Sequence, residues 1–205
     1  MKTATGRRAM RLAALVGVLA SALTMAHADG AATSPDAARV LADLDAARGK
    51  QTAEGRNAAK RLNALGDSAY KRQEYEVAYK AYSNSYPNFP TAYAYLMSAD
   101  TQWRSLVQFQ RKKAVQESSG TPACLEASGR FIHGMKMDLA QHYEVGLALA
   151  STEPDRQLLK SPMFLRARES FTCLQTMAKE LEALQANSCV DIGRVQQCLG
   201  EPLLK

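Results

Sequence analysis

The stretch EYEVAYKAYSNSYPNFP, Glu74 to Pro90, holds four of the chain's eight tyrosines and closes on an Asn-Phe-Pro stop. At about 100° per residue, Tyr75, Tyr79, Tyr82 and Tyr86 fall within about 60° of one another, an aromatic seam along one side of a short helix. Ala78 and Ser85 sit beside the seam and keep its shoulder thin, which lets a neighbouring backbone come close. Upstream, Leu62, Leu65 and Ala69 make a matching stripe, Gly66 allows close approach, and Gln73-Glu74 makes a tight corner. The pattern predicts two antiparallel helices glued by rings, with Tyr75 and Tyr82 each contributing on the order of 2 kcal/mol by burial. Tyr79 and Tyr86 either join that packing or remain as an exposed patch for a partner.

Outward from this pair the chain reads as helices throughout. Ser34-Pro35, Thr121-Pro122 and Ser161-Pro162 each offer a hydroxyl cap followed by a proline at the first helical position, where its missing N–H is no loss. Stops stand at 86–90, 118–120 and 151–154, rich in Ser, Gly and Pro. Helices are predicted at roughly 35–48, 53–72, 74–86, 91–116, 122–151, 162–186 and 191–198, with no strand. Ile132, Met135, Leu139, Tyr143, Gly146 and Ala150 make one core stripe, and Phe164, Ala167, Phe171, Leu174 and Ala178 another. Residues 34–205 are expected to form a single all-α domain.

Residues 1–28 read as a secretory signal peptide. Lys2, Arg7, Arg8 and Arg11 precede the apolar run Leu12–Met25, and Ala26-His27-Ala28 offers small residues around a cut after Ala28. The run is shorter than the roughly 18 residues a membrane-crossing helix needs, so no transmembrane span is expected after cleavage. A disordered 29–33 follows. The signal carries four of the 26 basic residues and none of the 20 acidic ones, so the rest of the chain is near charge balance. With no basic block longer than Arg111-Lys112-Lys113, nucleic acid is not an expected partner.

Cys124, Cys173, Cys189 and Cys198 are an even set in a chain bound for an oxidising compartment, so two disulfides are expected. Three connectivities are open. The expectation taken is Cys189–Cys198, closing a local loop, with Cys124–Cys173 clamping two helices. No Cys-x-x-Cys supports redox catalysis or haem attachment. His133 and His142 lie on opposite faces of a helix, and Asp138 with His142, one turn apart, makes only half a metal site. Glu74/Glu76 and Glu180/Glu182 face different ways, and no nucleophile elbow, phosphate loop or dinucleotide fingerprint is present. No metal, no cofactor and no catalytic residues are expected.

The spacing from Ala59 to Ala92 resembles the tetratricopeptide repeat, a 34-residue helix-turn-helix. Leu62, Leu65, Gly66, Ala69, Tyr75, Ala78, Tyr82, Ser85 and Pro90 take its signature places or conservative substitutes. A second unit opens at Tyr93 with Leu96, Ala99 and Trp103 in register, but Asp100 replaces its glycine and LVQFQRKKAVQESSG loses the pattern. The resemblance thus covers about one and a half repeats, 59–103, and one repeat cannot bury its own apolar face, so the other helices must stack on it. It implies a short solenoid or irregular bundle whose first helix lines a concave surface, with Lys60, Asn63, Asp67, Tyr70 and Lys71 facing a ligand and Arg104 contributed by the next helix. Ala94, Met97 and Thr101 there depart from a carboxylate clamp. The expected function is a non-enzymatic periplasmic or secreted scaffold binding a protein or peptide. The alternatives are an envelope-stress or cell-wall-associated helical protein, or an enzyme without a recognisable motif.

Overall fold

A computed structural model describes residues 34–48, 52–116, 124–126, 129–152, 155–183 and 189–204. The expected signal peptide, its cleavage point, the 29–33 segment and the Thr121-Pro122 helix start lie outside these residues. Ser34 to Lys205 make one compact unit. Its helices are α1 (Pro35–Arg48), α2 (Ala53–Lys71), α3 (Tyr75–Ser85), α4 (Ala92–Gln116), α5 (Gly129–Asp138), α6 (Val145–Leu149), α7 (Pro162–Ala183) and α8 (Ile192–Leu199). A π-helical turn, Leu139–Glu144, joins α5 to α6, and a 3-10 turn, Asp155–Lys160, precedes α7. Among the described residues no helix is long and apolar enough to cross a membrane.

The caps are chemical. Ser34 Oγ accepts from the Ala37 N–H at 3.2 Å and Ser161 Oγ from the Phe164 N–H at 3.1 Å, so both hydroxyl-proline pairs open helices as expected. Thr52 and Asp191 cap α2 and α8 in the same way. At the corner between α2 and α3, Gln73 takes φ 59°, and the Glu74 N–H reaches back to the Ala69 carbonyl at 3.0 Å. That left-handed residue with a long backward bond is how a helix terminates while satisfying its last carbonyls.

Helices α2 and α3 form an antiparallel hairpin: Ser85 Oγ donates to the Ala59 carbonyl at 3.2 Å at one end, and Tyr70 meets Tyr75 edge-on at 5.4 Å at the other. Tyr82, 0% exposed, lies across Gly66. A β-carbon on Gly66 would stand 2.6 Å from that ring, which has nowhere to move. Gly66→Ala should therefore destabilise by about 1–3 kcal/mol through overpacking, although alanine is the better helix former. A raised thermal midpoint in this variant would refute the packing. The buried positions of α2 are Ala59, Gly66, Ala69 and Tyr70, and Leu65 of the expected stripe is 52% exposed. One residue from Gly66 is a rotation of about 100°, enough to turn Leu65 out of the seam.

Helix α4 is the axis of the fold. Nearly every residue from Ala92 to Val107 is buried, so no polar face remains, as befits a helix wrapped on all sides. The core runs from Tyr82, Leu96 and Met97 through Tyr143 and Leu149 to Leu174, Met177 and Ile192.

Two further expectations are corrected. The helix predicted over 122–151 begins only at Gly129, because Cys124–Glu126 is a strand, β1, antiparallel to β2 (Cys189–Asp191), with Cys124 opposite Asp191 and Cys189 opposite Glu126. A partner so distant in sequence leaves no periodic mark on three residues. The disulfide is Cys173–Cys198, with 5.3 Å between α-carbons, and it joins α7 to α8. That bond excludes both Cys124–Cys173 and Cys189–Cys198: the short Cys189–Cys198 loop is filled by α8, and Cys198 turns toward α7 rather than back along its own helix. The only intrachain pairing left for Cys124 is Cys189, on the adjacent strand. Non-reducing peptide mapping should recover Cys124 and Cys189 in one linked peptide; free thiols at both positions would be the contrary result.

Candidate functional site

The residues expected to face a ligand separate into three groups. Lys60 and Lys71 are exposed. Asn63 and Asp67 are half-buried: Asn63 Oδ1 is enclosed without a hydrogen-bond partner, and Asp67 Oδ1 accepts from the Tyr82 hydroxyl at 2.7 Å and from the Tyr93 hydroxyl. Tyr70 and Arg104 are buried and work together. The expected ligand face of α2 is thus divided: Lys60 and Lys71 reach solvent, while Asp67 and Tyr70 are taken up by contacts to α3 and α4.

Tyr70 and Arg104 meet through Asp100. The Asp100 carboxylate, fully buried on α4, accepts from the Tyr70 hydroxyl at 2.6 Å and from Arg104 Nε, one turn along, at 2.7 Å. The far end of the guanidinium then donates to main-chain carbonyls at the end of α8 and just beyond it: Leu199 at 3.1 Å, Gly200 at 3.3 Å and Glu201 at 2.9 Å, all from Nη2. The Tyr70 hydroxyl also accepts the Leu203 N–H at 2.9 Å, and Arg166 of α7 donates to the Leu203 carbonyl at 2.9 Å. Leu203 itself is 2% exposed. Residues 199–204 therefore lie as a strap across α2, α4 and α7, held mainly through the backbone and anchored by Leu199 and Leu203, with Leu204 packed beside them.

The electrostatics follow from enclosure. Burial pushes the Asp100 carboxyl above the usual carboxylate range, while Arg104 and Tyr70 pull it back by charge and hydrogen bond. Desolvation works against the Arg104 charge, but Asp100 more than compensates and the guanidinium is held firmly protonated. Burial, with Asp100 beside it, pushes the Tyr70 hydroxyl well above its ordinary range. Tyr82 moves the same way, first by burial and then by Tyr93 and Asp67.

A second constellation is built around Trp103 of α4. Asp138 accepts from the Trp103 indole N–H at 2.6 Å and holds His142 Nδ1 at 2.7 Å, and the opposite ring nitrogen of His142 stands 3.4 Å from the Tyr86 hydroxyl. The π turn that begins after Asp138 carries His142 into this position. Tyr86 stacks on Tyr95 with centroids 4.4 Å apart, so the tyrosines at 75, 82 and 86 all enter the packing. A carboxylate orienting an imidazole has catalytic precedent, but 3.4 Å is a weak link to the phenol, and the arrangement binds α3, α4 and the π turn to one another. Among the described residues no group of three or more His, Cys, Asp and Glu is placed to hold a metal ion.

Sequence reasoning missed Asp100, Arg166 and the strap. Asp100 stood out as a departure from the glycine expected there, and its spacing of one turn before Arg104 is the ordinary signature of a helical ion pair. Arg166 and Leu203 carry no such local sign. No protein-family model matches the chain, and it matches neither any curated protein nor any solved structure.

Proposed function

We propose that the chain is a non-enzymatic scaffold of tetratricopeptide-like hairpins that binds a protein or peptide and works in the periplasm or outside the cell. The observation that carries this reading is the strap. Tyr70 and Arg104, two residues assigned to a ligand surface by the resemblance, hold a run of polypeptide by its carbonyls and N–H, which is the chemistry of extended-peptide recognition. The parallel course of α2 and α4 on either side of α3 agrees with it: Asp67 meets Tyr93, and Tyr70, further along α2, meets Asp100, further along α4. The Cys173–Cys198 bond fits an oxidising compartment.

A phage-displayed library of linear peptides, selected on the immobilised chain, tests the reading. Enriched peptides should bind the chain, and Lys60→Glu with Lys71→Glu should weaken them about tenfold, roughly 1.4 kcal/mol, with helicity and urea midpoint unchanged. Both lysines are exposed, so the substitutions do not threaten the core. No enrichment, or equal binding by the double variant, would count against a peptide-binding α2 face.

A further inference from the structure

We infer that the groove between α2, α4 and α7 is a peptide-binding site whose own strap is a displaceable occupant, and that the partner it takes is an extended segment carrying a leucine-type side chain. This rests on the scaffold reading above and names the chemistry of its ligand.

Three features of the strap make it exchangeable. The hydrogen bonds from Arg104 Nη2, Tyr70 and Arg166 Nη2 go to main-chain atoms of Leu199, Gly200, Glu201 and Leu203, groups that any extended chain presents, and the Glu201 carboxylate adds a looser side-chain contact to Arg166 at 3.9 Å. Beyond α8 the apolar anchors are the buried Leu203 and, beside it, the half-buried Leu204. Gly200, with φ 54°, turns the chain away from α8 just after Cys198 is bonded to Cys173, so the strap can leave while the disulfide keeps α8 on α7.

The groove is also incompletely satisfied by its present occupant. Arg166 Nε is buried without a partner, and a space of about 370 Å³ remains beside the strap, walled by Arg166, Glu169, Ser170 and Gln197. Nε is shielded while the strap is in place, so a partner backbone that displaces the strap can bring it the carbonyl or carboxylate that the strap does not supply. An incoming peptide then gains a hydrogen bond to a charged donor that the intramolecular occupant forgoes. The strap acts as a competitor, and affinity for the partner is reduced by the fraction of time the groove is closed.

The probe is a fluorescein-labelled peptide of sequence Leu-Gly-Glu-Pro-Leu-Leu-Lys, the strap's own, titrated into the full chain by anisotropy. Leu203→Ala in the chain should weaken the strap and tighten peptide binding by about tenfold or more, whereas the same peptide with aspartate at its first position after proline should not bind. Should Leu203→Ala fail to fold, Leu203→Val provides the same comparison with a smaller change. Hydrogen exchange on the unsubstituted chain is the independent readout: the Leu203 amide should exchange at least about tenfold faster than amides in the middle of α4. Exchange of Leu203 only with global unfolding, or equal peptide affinity for the substituted and unsubstituted chains, would overturn the inference. If library peptides still bind through Lys60 and Lys71 in that case, the scaffold reading survives without it; if they do not, both fall.

Discussion

Asp100→Ala should destabilise the fold by about 3–5 kcal/mol, the range for stripping a buried charge of its partner. Asp100 is the one carboxylate joining Tyr70 to Arg104, and Arg104 in turn holds three strap carbonyls. Its loss leaves a guanidinium enclosed without a counter-charge and a phenol without its acceptor. Urea denaturation followed by far-ultraviolet dichroism measures the effect, and fluorescence of Trp103, the chain's single tryptophan, reports on the same helix. The pair is not irreplaceable: Asp100→Leu with Arg104→Met should recover much of the loss, since two apolar residues fill the space without an unpaired charge. A loss below about 1 kcal/mol for Asp100→Ala would mean that water reaches Arg104 and that the buried pair is not what holds the strap.

Alkaline pH should unfold the protein cooperatively. Tyr70, Tyr82 and Tyr143 are enclosed, and burial raises each hydroxyl well above its ordinary value of about 10. The folded state therefore keeps protons that the unfolded chain releases. Stability from these groups is present in full below about pH 10 and falls as pH rises beyond it, by about 1.4 kcal/mol per tyrosine per pH unit. By about pH 12 the three together remove an amount comparable with the whole stability of an ordinary domain. Phenolate absorbance should thus show the half-buried Tyr75, Tyr79 and Tyr86 ionising first, and the enclosed three only together with loss of helix. Smooth ionisation of all eight tyrosines near pH 10 with helicity retained would contradict the packing.

The tyrosine seam shows how far local pattern reaches. Tyr75, Tyr82 and Gly66 occupy the hairpin as their spacing implies, because a helix fixes the angle between residues three and four apart whatever surrounds it. The same rule fails at Leu65, where one residue's rotation separates an apolar side chain from the seam. It fails more widely on α4, whose burial on every side erases any distinction between a ligand-facing and a core-facing position. That is why Arg104 and Tyr70, read as a surface, turned out to hold the chain itself, while Lys60 and Lys71 stayed in solvent.

Taken alone, the amino-acid order determined the helical class, the capped starts at Ser34 and Ser161, and the pairing of α2 with α3, all of which depend on neighbours within a few turns. Only the tertiary structure decided that Cys173 bonds Cys198, that Cys124–Glu126 pairs with Cys189–Asp191, and that residues 199–204 close the groove. Each of those joins segments far apart along the chain. Which distant groups meet is settled by how the helices stack, and periodicity within one helix carries no record of that.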